Sequence, residues 1–212
     1  GKITTWNDPA IEALNADASL PSTPITVFYR GDSSGTTQNF EKYLAANDPT
    51  QFTSKPDKDS SKAGFAGQGK TGSQGVQQAI GSTDGSIGYV EWSFAVSGDL
   101  DTAKVDNGGG PVELSADSAG AAVAAAEVAG NGGQDLTLKL DYATRTPGAY
   151  PLILVTYEIV CSQYSDPEIG SLVKSFLTYT AGDGQAALPD LGYAPLPAEI
   201  QTKVQAAVAT IS

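Results

Sequence analysis

Histidine and methionine are absent from this 212-residue chain, cysteine occurs once, and two arginines stand among only 12 basic residues against 24 acidic ones. Without histidine the chain lacks the commonest general base and the commonest metal ligand. A lone cysteine, Cys161, cannot close a disulfide within the chain; set at the end of the apolar run 154–160, it reads as a small buried hydrophobe, the alternative being a partner in an absent segment. A formal charge of −12 excludes nucleic acid as a partner, since displacing its counterions takes clustered Lys and Arg. No apolar run approaches the roughly 18 residues of a membrane span, and no basic-then-apolar signal segment precedes Gly1. The expectation is a water-borne chain that meets a membrane only through an anchor absent from this sequence. What is present, 40% hydrophobic residues over this length, suffices for a real core in one large or two small domains.

One stretch organises the rest: Arg30-Gly31-Asp32-Ser33-Ser34-Gly35-Thr36-Thr37, between an apolar strand-like run at 25–29 and a helical pattern opening near Gly35. Phe40, Tyr43 and Leu44 fall at i, i+3 and i+4, and Asn47-Asp48-Pro49 ends the helix. Ser33 or Ser34 is a natural N-cap. The unpaired N–H groups and hydroxyls of Ser34, Gly35, Thr36 and Thr37 would then converge at the positive end of the helix dipole. A phosphate-sized oxyanion is the natural occupant of such a place. Arg30 is placed to add a guanidinium fork, and Asp32 to hold that fork in position. The same residues also read as a polar loop that merely caps a helix, and local chemistry leaves the two readings level. The overall negative charge does not exclude an anion ligand, because beyond a Debye length of about 8 Å local donors outweigh the global charge.

Along the chain, Asp8-Pro9 starts a short helix, and residues 20–24 link it to the strand. Residues 48–62 read as a solvated polar loop. A helix follows with Val76, Ala79 and Ile80 on one face. Then come a turn at 81–85, a strand at 87–91, and an apolar continuation of it at 92–96. Residues 107–111 form an open loop. The alanine-rich stretch 117–129 predicts a helix stopped by Gly130-Asn131-Gly132-Gly133. Leu136, Leu138 and Leu140 alternate as in a half-buried strand. A boundary falls at 143–151, followed by a buried strand at 152–160. Asp166-Pro167 opens a helix with Ile169, Leu172, Val173, Phe176 and Leu177 inward, and a last helix at 198–211 buries Ile200, Val204, Ala207, Val208 and Ile211. Alternating strands and helices argue for an α/β fold with a mainly parallel sheet.

Residues 64–71, Gly64-Phe65-Ala66-Gly67-Gln68-Gly69-Lys70-Thr71, match the Walker A pattern letter for letter. A P-loop needs a buried apolar strand immediately before it, and Asp57-Lys58-Asp59-Ser60-Ser61-Lys62 cannot supply one. A P-loop nucleotide hydrolase through residues 64–71 is therefore an alternative rather than the main reading. A serine-nucleophile phosphatase using Ser34 beside Arg30 is a weaker one, since no histidine or metal-ligand cluster supports it.

The run from Arg30 to Thr37 resembles the Arg, Asp, Ser, Gly, Thr signature of the phosphate-binding proteins that serve the high-affinity (Pst-type) phosphate ABC transporter. Residues 1–11, Gly85-Ser86-Ile87-Gly88-Tyr89-Val90-Glu91, Tyr150-Pro151-Leu152 and Tyr193-Ala194-Pro195-Leu196-Pro197 are similar to further segments of that family, in the same order. The resemblance implies an α/β, type II periplasmic-binding-protein fold with two lobes, a hinge and mainly parallel sheets. Residues 1–146 would be most of the second lobe and residues 147–212 the returning part of the first. It implies a solute-binding protein rather than an enzyme, with inorganic phosphate as ligand, no cofactor and no metal. ABC transporter permease subunits would be its partners, and the location extracytoplasmic, anchored as a lipoprotein. Carried over residue by residue, the phosphate contacts are Arg30, Ser34, Gly35 and Thr36, with Asp32 behind Arg30. Gly31 and Ser33 stand where other small residues are expected in relatives, which leaves the contacts intact. The sequence lacks the family's N-terminal third, including a carboxylate that accepts the proton of bound phosphate. An incomplete, non-binding fragment or antigen is accordingly the other alternative, and Gly1 reads as a processed or truncated start.

Overall fold

Asp8 accepts the Ala10 N–H and Pro9 takes the first helical position, so α1 (Pro9–Glu12) starts where its cap dictates. The computed structural model describes residues 1–131 and 133–212. The apolar run after Pro24 becomes β1 (Thr26–Arg30), the middle strand of the sheet. From it the chain passes through α2 (Gly35–Asn47) and a long loop to β2 (Gln68–Lys70), then through α3 (Gly72–Gly81) to β3 (Ser86–Gly88) and into α4 (Trp92–Ser97). All pairing in this sheet is parallel, in the order β2-β1-β3, with Arg30 beside Lys70 and Phe28 beside Gly88.

That order places the functional face. The connections β1→β2 and β2→β3 run in opposite directions across the sheet, so right-handed crossovers put α2 and α3 on opposite faces. Open parallel sheets bind ligands beyond the carboxyl ends of the strands where the order of connections reverses, here between β1 and β3. The N-termini of α2, α3 and α4 follow directly from the three strands. Buried Phe28 and Val76 form the core on which α3 sits. On the other side an aromatic cluster joins Tyr29, Phe40, Phe52, Phe65 and Tyr89, with Phe40 and Tyr89 stacked at 4.6 Å.

The chain forms two compact units, Gly1–Asp101 and Thr102–Ser212. In the second, α5 (Ala116–Ala124) is closed by a Ser115–Ser118 capping box and packs Ala119 and Ala122 against Ala149 and Ile153. Next, β4 (Glu127–Val128) pairs antiparallel with β5 (Leu138–Lys139). Asp166 and Pro167 open α6 (Pro167–Thr180), whose Val173 and Leu177 meet Val204, Val208 and Ile211 on and just after α7 (Ala198–Ala209). Among the described residues, no helix is long and apolar enough to cross a membrane.

Several expectations are corrected. Residues 92–96 leave the strand and coil into α4, since Trp92, Ala95 and Val96 also fit helical spacing and short apolar runs do not separate the two periods. The alanine-rich helix stops at Ala124 because Glu127 and Val128 are drawn into pairing with Lys139 and Leu138, overriding propensity. Gly132, one of the glycines expected to end that helix, lies outside the described residues. The run 152–160 is neither strand nor buried along most of its length; among the described residues it has no ladder partner, and Ile159 is 94% exposed. A β pattern needs a neighbouring edge before it becomes a strand. Cys161 is accordingly exposed. On α6, Ile169, Leu172 and Phe176 point outward, because α7 covers only the stripe of Val173 and Leu177. The loop 48–62 is tied down rather than merely solvated: Ser34 N–H donates to the Lys58 carbonyl and Asp57 N–H to Glu41 Oε2.

Candidate functional site

β1 ends in Arg30, whose side chain is mostly covered, and the following turn brings Asp32 under it. Arg30 Nε donates to Asp32 Oδ1 at 2.8 Å and Nη2 to Oδ2 at 2.6 Å, a two-point clamp, while Nη1 donates to Ser73 Oγ at 3.0 Å. Three of the five guanidinium N–H groups are thus engaged and two remain. The hydrogen bond to Arg30 holds the Asp32 carboxyl well below the usual carboxylate range, and the same pairing pushes Arg30 further up. Asp32 also accepts the Gly72 N–H at 3.0 Å. Gly72 has φ +68°, a left-handed turn that only glycine enters without strain, and it opens α3 beside the ion pair.

Ser34 is the N-cap of α2, and its oxygen accepts from the N–H groups of Thr36 at 3.1 Å and Thr37 at 3.3 Å. Gly35 N–H is left as the first-turn donor with no protein acceptor among the described residues. Thr37, fully buried, shares a hydrogen with Tyr89 Oη at 2.7 Å, and the Arg30 N–H donates to the same Tyr89 oxygen at 3.3 Å. Burial pushes the Tyr89 phenol up. Thr36 Oγ1 donates to Glu91 Oε1 at 2.7 Å. Burial opposes ionisation of Glu91, yet the Ser73 and Thr36 hydroxyls outweigh it and its pKa lies below the ordinary value.

The structure therefore gathers Arg30, Asp32, Ser34, Gly35 and Thr36 at one helix start, with Asp32 gripping Arg30 as expected. Gly72, Ser73, Tyr89 and Glu91 were missed, because they arrive through parallel pairing and not through local sequence. The resemblance of Gly85-Ser86-Ile87-Gly88-Tyr89-Val90-Glu91 to a family segment was a hint of Tyr89 and Glu91. No group of three or more His, Cys, Asp or Glu residues suited to a metal ion occurs among the described residues.

The Walker-like letters fail geometrically. Gln68-Gly69-Lys70 are themselves strand β2, where a P-loop needs a turn. Phe65 belongs to the aromatic cluster, and the Lys70 ammonium lies 5.0 Å from the Phe28 ring centre. Gly69 is required here by close approach: a Cβ on it would come within 3.0 Å of Gly31 Cα on the neighbouring segment.

A family model described as the PBP superfamily domain matches residues 1–183. The chain belongs to the PBP superfamily. Within it, the chain is similar to the phosphate-binding protein PstS 3 of Mycobacterium tuberculosis, 44% identical over all of this chain and 58% of that protein. It is also similar to the phosphate-binding protein PstS 2 of the same organism, 43% identical over all of this chain and 58% of that protein. Among solved structures, a DING protein superposes with a TM-score of 0.61 at 25% identity, covering 87% of this chain and 59% of that one. The fold is thus PBP-like, α/β with a parallel sheet, and the chain spans 58% of the length of these curated PBP relatives.

Proposed function

We propose that this chain is the signature-bearing part of an extracytoplasmic solute-binding protein that captures inorganic phosphate and delivers it to an ABC importer. The observation that carries the reading is the Arg30–Asp32 clamp at the start of α2. It presents a permanent cation with two unspent donors beside the Gly35 N–H and the Ser34 and Thr36 side chains. Arg30, Ser34, Gly35 and Thr36 contact the anion in this reading, and Asp32 stands behind Arg30. Each charge-assisted hydrogen bond contributes about 1.5–3 kcal/mol. The similar proteins are solute-binding proteins named for phosphate, which supports binding and release rather than catalysis. The division into lobes at 1–146 and 147–212, the hinge, the permease subunits as partners and a lipid anchor belong to the same proposal.

Isothermal titration of the chain, freed of bound anion, tests it. Phosphate heat that Arg30→Ala abolishes supports the reading. A chain folded by circular dichroism that gives no phosphate heat rejects it for this chain and favours the incomplete, non-binding fragment.

A further inference from the structure

Ser34, Thr37 and Glu41 follow one another at helical spacing, so they form a single stripe along the start of α2, and all three are buried. A covered helix stripe is ordinarily apolar, and this one is polar throughout. At its far end Glu41 is completely covered; Oε2 accepts the Asp57 N–H at 2.7 Å, and Oε1 has no partner among the described residues. The next residue of that loop turns back to the other end of the stripe, where the Lys58 carbonyl accepts the Ser34 N–H at 2.9 Å. Two consecutive residues, Asp57 and Lys58, therefore strap the Glu41 carboxyl to the backbone of Ser34, the cap of α2.

The groups facing Glu41 do not favour a charge there. Asp57 and Asp59 lie on the strap, and the Tyr89 phenol, which shares a hydrogen with Thr37, comes from beyond β3. The Lys62 ammonium is engaged by Asp57 at 2.8 Å. With its proton, Glu41 suits a covered place. Without it, Oε1 carries charge and finds no donor, a costly state that admitting water relieves. The strap is the cover hydrogen-bonded to that carboxyl. Lifting it withdraws the Lys58 carbonyl from Ser34, whose oxygen holds the Thr36 and Thr37 N–H groups of the first turn.

We propose that Glu41 is a positioning residue for the oxyanion site at the start of α2. While it keeps its proton, the 57–58 strap stays closed on Ser34 and the first turn holds its geometry; when it ionises, the strap lifts and the site loosens. Glu41 touches no ligand and acts only through the strap. Anion binding and the proton on Glu41 then favour each other, and the coupling is reciprocal. This inference rests on the phosphate reading above.

Two measurements on the full chain test it, each comparing the wild type with Glu41→Gln, which keeps an acceptor for Asp57 and cannot ionise. In phosphate titrations from pH 5 to 8 the protonation of phosphate itself is common to both chains and cancels in the ratio of their dissociation constants. That ratio, wild type over variant, should rise about fivefold or more with pH, the lower end of coupling between linked sites. Amide hydrogen exchange without ligand reads the strap directly. Protection of the Ser34 and Asp57 N–H groups in the wild type should fall relative to the variant as pH rises, and by more than that of amides inside α3. Should Glu41→Gln not fold by circular dichroism, Glu41→Met, of similar length and also unable to ionise, is the reference for both ratios. A dissociation-constant ratio that stays level with pH overturns the proposal. So does a loss of protection shared equally by Ser34, Asp57 and α3, which marks a merely structural role. A folded wild type that gives no phosphate heat rejects the phosphate reading alone, and the exchange comparison still decides whether Glu41 positions Ser34.

Discussion

Asp32 holds Arg30 at two points, 2.8 Å from Nε and 2.6 Å from Nη2, and with Ser73 sets the plane of the guanidinium at the mouth of α2. Asp32→Asn keeps the size of the side chain and removes the charge that aligns the fork. Phosphate affinity is expected to fall about tenfold by titration, the scale of one misaligned charge-assisted bond. The pH dependence follows from the sign of the shift. The folded Asp32 pKa is depressed, so its contribution to stability is present above the ordinary aspartate value and is lost as pH falls below about 3.9. Melting temperatures of Asp32→Asn should therefore decline less steeply with acid than those of the wild type.

Ser34 caps α2 and, in the proposed reading, also contacts the anion, and two substitutions separate the roles. Ser34→Ala removes the acceptor for the Thr36 and Thr37 N–H groups and should cost about 1 kcal/mol in urea denaturation. Ser34→Gly should cost only a few tenths. Both lose the hydroxyl, so both should weaken phosphate to a similar extent.

Glu41 is fully buried in α2, with Oε2 accepting from Asp57 N–H and Oε1 without a partner among the described residues. Burial pushes its carboxyl up, against the Asp57 N–H and with the repulsion of Asp57 and Asp59 adding to the rise. The folded chain then keeps a proton where the unfolded chain has lost it. The Glu41 contribution to stability is largest below the ordinary glutamate value and declines as pH rises through the folded pKa. Glu41→Gln retains an acceptor for Asp57 and removes the titration. Denaturation midpoints from about pH 4 to 7 should flatten, and the variant should be the more stable chain at neutral pH.

Lys70 separates the two anion grammars of the sequence. Its ammonium lies over Phe28 and donates to Gln68 at 3.3 Å. Titration with magnesium and ATP should give no heat, and Lys70→Ala should leave phosphate affinity within about twofold, the bound expected for a partly screened lysine that touches no ligand.

How far the sequence determines this protein follows from the reach of its hydrogen bonds. The start of α2, its Ser34 cap and the Arg30–Asp32 clamp are contacts between residues two or three apart, so they could be read directly from the order of the letters. The strand β1, the helices α3 and α7 and the parallel α/β class were legible for the same reason, through period and punctuation. Tertiary structure alone decided that Gln68-Gly69-Lys70 is a strand, that the run 152–160 stays unpaired, and that one face of α6 is left uncovered. Each depends on which surface lies alongside, and periodicity marks a willing face without naming its partner. The same holds for the link from Thr36 to Glu91, 55 residues on, and from Thr37 to Tyr89, 52 residues on. Local chemistry wrote the half of the site at the start of α2; the parallel register of β1 and β3 supplied the other half, because only a sheet sets residues that distant side by side.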